Sequence, residues 1–233
     1  MPRGTVERVE TCVVVPAFNE ARVIRRVLAG LTQAGYDVVL VDDGSQDDTA
    51  ACAAEYPITV LRHLMNLGQG AALQTGIAWA VRTAGIRFVV TFDGDGQHAV
   101  DDIPRLVAPL RAGTHDVVLG SRFLDGGQAA GIGRSRRLLL RLATAFTRLT
   151  TGLQLTDTHN GLRALTVEAA AAVRITQDRM AHASEILSQI AALKLRYCEV
   201  PIRIEYTPYS TSRGQSALNS VNILWDILRE KMR

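Results

Sequence analysis

The stretch that decides the fold is Arg87-Phe88-Val89-Val90-Thr91-Phe92-Asp93-Gly94-Asp95-Gly96-Gln97-His98. Its first half is β-branched and aromatic, the composition of a strand buried on both faces; its second half is an acidic turn broken by glycine. Carboxylates at i and i+2 project from the same side of an extended turn. Asp93 and Asp95 are therefore a candidate pair for a hard cation, Mg2+ or Mn2+, which takes oxygen ligands and shares them with substrate phosphates. Glycine at 94 lets a sugar or diphosphate come close to the backbone. Acidic pairs in turns are common on protein surfaces, and it is the apolar strand in front that gives this one weight. Two carboxylates held close also repel, which is an electrostatic reason for a counter-ion.

Working outward, similar apolar runs occur at Thr11–Pro16, Asp37–Val41, Ile58–Leu61 and Asp116–Leu119. Helix-like stretches near 20–32, 47–54, 69–82 and 101–111 separate them. This alternation predicts an α/β fold, a Rossmann-like, mostly parallel sheet flanked by helices. Ligands of such sheets bind beyond the carboxyl ends of the strands. After the first run comes Pro16-Ala17-Phe18-Asn19-Glu20 rather than GxGxxG, which argues against a dinucleotide-dependent oxidoreductase. After the second comes Asp42-Asp43-Gly44-Ser45, whose carboxylates can accept hydrogen bonds from a ribose hydroxyl or a base N–H. Ser45 and Asp47 also suit helix capping, and the two roles are compatible.

Beyond Gly120 the pattern changes. Residues 120–133 hold five glycines and few large apolar groups, so a mobile loop is expected. In Arg134–Leu149, Leu138, Leu142, Ala145, Phe146 and Leu149 share one helical face flanked by Arg134, Arg136, Arg137, Arg141 and Arg148. Such a helix is either a solvated surface element or one lying on an anionic membrane. Ser216–Arg233 is a second, C-terminal amphipathic helix, either packed on its own domain or attached to lipid or a membrane partner through Trp225.

Composition sets the outer limits. With 233 residues, 47% apolar, the chain can bury one large core, which excludes disorder. The three cysteines, Cys12, Cys52 and Cys198, are too scattered for a disulfide framework or a zinc site and point to a reducing compartment. The net charge of +3 comes from arginine, since only Lys194 and Lys231 are lysine. That bias reflects either a GC-rich genome or bidentate phosphate recognition. No signal peptide is expected, because residues 1–10 carry both charge signs, and no run of ~18 uncharged apolar residues spans a bilayer. A cytoplasmic protein, peripheral on the inner face of the membrane, is the expectation. Nucleic acid is not an expected partner, because the arginines lie on an amphipathic helix poor in stacking aromatics.

In order along the chain, Pro16–Glu20, Val41–Ser45, Asn66-Leu67-Gly68-Gln69-Gly70-Ala71, Asp93–His98 and Gly120-Ser121-Arg122 resemble the motifs of the family 2 glycosyltransferases. Asp157-Thr158-His159-Asn160-Gly161-Leu162-Arg163 and Arg213-Gly214-Gln215-Ser216 resemble the polyprenyl-phosphate branch, typified by dolichol-phosphate mannosyltransferase. The resemblance spans roughly residues 11–217 and implies a GT-A fold in a single domain. Its donor half would be about 1–120, its acceptor half 121–215, and its C-terminal helix 216–233. Residue by residue, it implies that Pro16, Phe18, Glu20, Val41, Asp42 and Asp43 line the nucleotide site, with Asp93 and Gly94 facing the donor. Asp95 and Gln97 would hold the metal, Asp93 through water. Arg122 would contact a donor or acceptor phosphate, Asp157 and Arg163 the acceptor side, Glu185 the sugar, and Arg213 the segment closing over the diphosphate. The implied reaction is inverting transfer from a GDP- or UDP-sugar to a polyprenyl phosphate, or, if Asp157 serves as base, to a sugar hydroxyl. A peripheral membrane contact or a small membrane-protein partner would go with it. The further alternative is a non-catalytic nucleotide-sugar-binding subunit. The chain departs from the family at Gln69 and Ala217, where lysine is frequent.

Overall fold

The computed structural model describes residues 10–125, 128–129, 134–158, 160–178 and 181–204, apart from the side chains of 128–129 and 134–139. The expected C-terminal helix at 216–233, Arg213 and His159 lie outside the described residues, as do 126–127 and 130–133 of the expected loop.

The β-branched runs form strands close to where their composition places them: β1 (Thr11–Ala17), β2 (Asp37–Asp42), β3 (Thr59–Arg62), β4 (Phe88–Thr91) and β5 (Val117–Ser121). Between them run α1 (Ile24–Gln33), α2 (Thr49–Ala53), α3 (Gln69–Ala80) and α4 (Ile103–Arg111). The second half adds β6 (Gln128–Ala129), α5 (Arg134–Thr151), β7 (Arg163–Thr166), α6 (Val167–Ala172), α7 (His182–Ala192), β8 (Tyr197–Pro201) and β9 (Arg203–Ile204). Seven strands make one sheet in the order β3-β2-β1-β4-β7-β5-β8, while β6 and β9 pair separately. All neighbours in the large sheet are parallel except β7, which runs antiparallel between β4 and β5.

Both faces of the sheet are covered. On β1, Val13 and Val15 join the cluster with Leu28, Leu31, Leu106 and Val107, whereas Cys12 and Val14 join Leu73, Ile77, Ile186, Leu187 and Ile190. That period-2 division is why the strand reads as an unbroken apolar run. The second layer, made of α3, α6 and α7, extends to α5, which packs on α7. No helix among the described residues is long and apolar enough to cross a membrane.

Orientation within α5 follows its neighbours. Ala143, Thr144 and Thr147 are buried, while Leu142, Ala145 and Leu149 face solvent with Arg141 and Arg148. Phe146, expected on the leucine face, is half-buried. The inward threonines satisfy their hydroxyls within the helix, Thr144 on the Leu140 carbonyl (2.9 Å) and Thr147 on that of Ala143 (3.0 Å).

Candidate active site at the carboxyl ends of the strands

The loops after β1 and β2 are sewn together. Asn19, at a φ of 56° that asparagine tolerates better than most residues, donates its N–H to Ser45 Oγ (2.9 Å) and accepts from Gln46 N (2.8 Å). Glu20 N donates to Thr49 Oγ1 at 2.8 Å. This leaves Phe18 39% exposed at the end of β1, while Pro16, Glu20 and Val41 are buried. The neighbouring carboxylates organise loops. Asp42, fully buried, accepts from Ser45 N (3.0 Å) and pairs with Arg62 Nε (3.0 Å). Asp43 contacts His63 Nδ1 (2.7 Å) and accepts from Leu67 N (2.9 Å) and Gly68 N (2.7 Å), tying β2 to the start of α3.

The centre of the site is the turn after β4. Asp93 Oδ1 accepts from Gln69 Nε2 at 2.9 Å, and Oδ2 lies 3.1 Å from His98 Nε2. Burial by itself would raise the Asp93 carboxyl; His98, Arg163 and His182 together hold it below the ordinary carboxylate value. Asp95 goes the other way, pushed up first by burial and then by the Asp93 charge. Its oxygens accept from Gln97 N (3.0 Å) and Gln97 Nε2 (2.6 Å). Two glycines permit the arrangement: a Cβ on Gly94 would sit 2.9 Å from the Pro16 carbonyl, and one on Gly161 would collide with the Asp93 carboxylate.

After β5, Arg122 forks onto Asp157, Nε to Oδ2 and Nη2 to Oδ1, both at 2.7 Å, and its backbone N–H reaches Oδ2 at 3.1 Å. The pair is buried. Glu199 on β8 holds the turn in place, accepting from Thr156 N (2.8 Å) and Asp157 N (3.1 Å), and burial pushes its own carboxyl up. Arg163 opens β7 between Thr91 and Leu119, so the antiparallel strand delivers its guanidinium near both Asp93 and Asp157. Burial lowers its affinity for the proton and the two carboxylates restore part of it. Among the described residues, Arg163 Nη1, Asn160 Nδ2 and His98 Nδ1 are buried without a hydrogen-bond partner. Glu185 instead accepts from Thr176 N (3.0 Å) and Gln177 N (2.9 Å), fixing the chain that precedes α7.

The acidic turn fits a divalent cation. Asp93 and Asp95 offer hard oxygen donors, and the destabilised Asp95 charge is the condition a cation would relieve. Among the described residues no three His, Cys, Asp or Glu side chains form a complete cage. This suits Mg2+ or Mn2+, which are bound through one or two carboxylates with water and substrate phosphate. Four residues of the site were not among the sequence candidates. In the sequence Gln69 stands out only as a departure from lysine, and His98 only as the end of the acidic motif. His182 and Glu199 carry no local signal.

Comparison with known proteins bears on the family and the fold. The family model described as "Glycosyl transferase family 2" matches residues 12–174. An uncharacterised protein of Methanocaldococcus jannaschii is 37% identical over 97% of this chain and 94% of its own length. The UDP-N-acetylglucosamine--dolichyl-phosphate N-acetylglucosaminyltransferase of Methanococcus voltae is 30% identical over 94% of this chain and 95% of its own. Among solved structures, glucosyl-3-phosphoglycerate synthase from Mycobacterium tuberculosis, in complex with Mn2+, UDP and glucosyl-3-phosphoglycerate, shares the fold with a TM-score of 0.70. It is 21% identical, covering 98% of this chain and 85% of that one.

Proposed function

This chain belongs to the family 2 glycosyltransferases, and on that premise we propose that it transfers a sugar, with inversion, from a nucleoside diphosphate sugar to a polyprenyl phosphate at the inner face of the membrane. The observation that carries the reading is the pair of buried donors next to the acidic turn, Arg163 Nη1 and Asn160 Nδ2, that find no acceptor among the described residues. Buried N–H groups cost about 1–3 kcal/mol each when unpaired, so a fold retains them where a ligand supplies acceptors. Phosphate oxygens are such acceptors, and a guanidinium binds them strongly.

In the transfer, the bond between the anomeric carbon and the diphosphate oxygen breaks, and the nucleoside diphosphate leaves with the electron pair. An oxygen of the acceptor phosphate forms the new bond. That oxygen is already anionic near neutral pH, so the step needs no strong base. The Asp157 carboxylate supports this version, because its oxygens already receive the Arg122 fork and backbone N–H. Asp157 therefore orients Arg122 toward phosphate.

Asp95, with Asp93 and the amide of Gln97, would hold Mg2+ or Mn2+, which when bound neutralises charge on the leaving diphosphate. The M. voltae relative uses a UDP-sugar and dolichyl phosphate by name, and the M. tuberculosis structure contains UDP and Mn2+. Both favour a uridine donor and a divalent ion here. Phe18, Glu20 and Asp43 bound the nucleotide side, with Gly94 facing the donor. The outward leucines and arginines of α5 provide a peripheral membrane contact, and a small membrane-protein partner would dock beside them.

The test is transfer from radiolabelled UDP-sugars to a polyprenyl phosphate or to a soluble sugar, with Mn2+ or with chelator. Label in the lipid fraction, lost on chelation, is expected. Label only in the soluble sugar would overturn the acceptor assignment.

A further inference from the structure

The loop after β3 displays apolar side chains that the fold does not use: Leu64 is 103% exposed, Met65 65% and Leu67 46%. The loop is nevertheless held at its base. Asp43 accepts from the N–H groups of Leu67 and Gly68, and the backbone at 65–66 lies so close to Gly44 that a Cβ there would strike it. An anchored loop that points leucine and methionine at water is a surface built to meet something apolar.

Helix α5 carries a second set of outward apolar side chains. It buries Thr144 and Thr147 and turns Leu142 (58% exposed) and Leu149 (86%) outward. The two surfaces belong to one helical layer: the loop runs into α3, Gly70 N donates to Asp178 O (2.8 Å) just before α7, and α7 packs on α5. Each is also tied to the site through the chain, since Asp43 holds the loop and the segment after α5 leads to Asp157. Residues 126–156 contain five arginines and no acidic residue.

We propose that the 64–67 loop and the outer face of α5 are the two ends of one lipid-facing surface. Together they would seat the carboxyl ends of the strands on an anionic bilayer, with Leu64 and Met65 entering the headgroup–acyl boundary. This deepens the proposed function and rests on its lipid-linked acceptor. Charge selects the occupant. Anionic headgroups complement the arginines between the outward leucines, whereas a two-fold dimer would set one arginine-rich face against another. Two contacts also fix orientation, which a single amphipathic helix leaves free to roll about its own axis.

The full-length protein is tested on vesicles of phosphatidylcholine with and without phosphatidylglycerol. Leu64→Asp/Met65→Asp should lower partitioning onto the anionic vesicles by roughly tenfold or more. Transfer to a short-chain polyprenyl phosphate dispersed in detergent should be unchanged. A nitroxide on Leu64→Cys, with labelled wild type as the control, should become accessible to oxygen and shielded from a polar relaxant only when anionic vesicles are added. Unchanged partitioning of the double variant, or a label that stays in water, overturns the proposal. So does shielding that rises with protein concentration without lipid, which identifies a second copy as the occupant. Loss of transfer by wild type in detergent, with partitioning intact, would count against the proposed acceptor and not against the lipid contact.

Discussion

Replacing Asp157 by alanine leaves Arg122 buried without its counter-charge, and this is where the acceptor side is most exposed to measurement. The guanidinium makes two bonds of 2.7 Å to the carboxylate and the backbone N–H a third of 3.1 Å, in a place closed to water. Removing one member of a buried ion pair costs about 3–5 kcal/mol, mostly through the stranded partner. At about 2–4 °C per kcal/mol for a domain of this size, the melting temperature should fall by roughly 6–20 °C. The same reasoning says that the pair as a whole adds little to stability. Arg122→Met/Asp157→Leu, which replaces both charges with apolar groups, should unfold within about 1–2 kcal/mol of wild type in urea. If Arg122 serves the phosphate, that stable double variant should still lose about 100-fold or more in kcat. A double-mutant cycle by urea denaturation reads the coupling directly. Asp157→Ala within about 1 kcal/mol of wild type would refute the reasoning, since it is what a solvent-screened pair gives.

Asp95→Asn should abolish turnover and the thermal stabilisation of wild type by Mn2+. Without metal it should melt higher than wild type, and the difference should be larger at pH 7 than at pH 4. The sign follows from the raised folded-state carboxyl, which binds a proton more tightly than in the unfolded chain, so stability is lost as pH rises through that range. A melting difference independent of pH would contradict it. Gly161→Ala puts a methyl against both Asp93 oxygens and should cost about 1–3 kcal/mol of stability, with kcat/KM falling further than urea denaturation alone explains. Arg134, Arg136 and Arg137 changed together to Glu should release the protein from anionic liposomes while leaving transfer in detergent intact; unchanged cosedimentation would remove α5 from the membrane contact.

The first half of the fold was readable because its strands are buried on both faces. Val13 and Val15 serve one layer and Cys12 and Val14 the other, so composition alone marks the strand. The strand β7 was not readable. Arg163-Ala164-Leu165-Thr166 is four residues long, opens on a charge, and reverses direction between two parallel neighbours. Its reversal is also what makes the site, since it carries Arg163 from an acceptor motif to a place near the acidic turn. Glu199 had no local pattern at all, because it meets Thr156 and Asp157 from 43 and 42 residues away. In α5 the two faces were legible but not their direction. Periodicity separates leucines from threonines; only the packing on α7 decides which side turns inward.

Gln69, where the resemblance leads one to expect lysine, takes on a different meaning once its neighbours are in place. A lysine there would bring a positive charge to the start of α3. Here the neutral amide donates to Asp93 Oδ1, while the positive potential on Asp93 comes from His98, Arg163 and His182. Arg163 lies in the field of both Asp93 and Asp157, and its Nη1 has no hydrogen-bond partner among the described residues. The charge that a lysine would place at the donor edge therefore sits deeper, on a buried guanidinium fixed by the sheet. There it would have less freedom to lose to a phosphate, and it interacts with the Asp93 and Asp157 carboxylates at once.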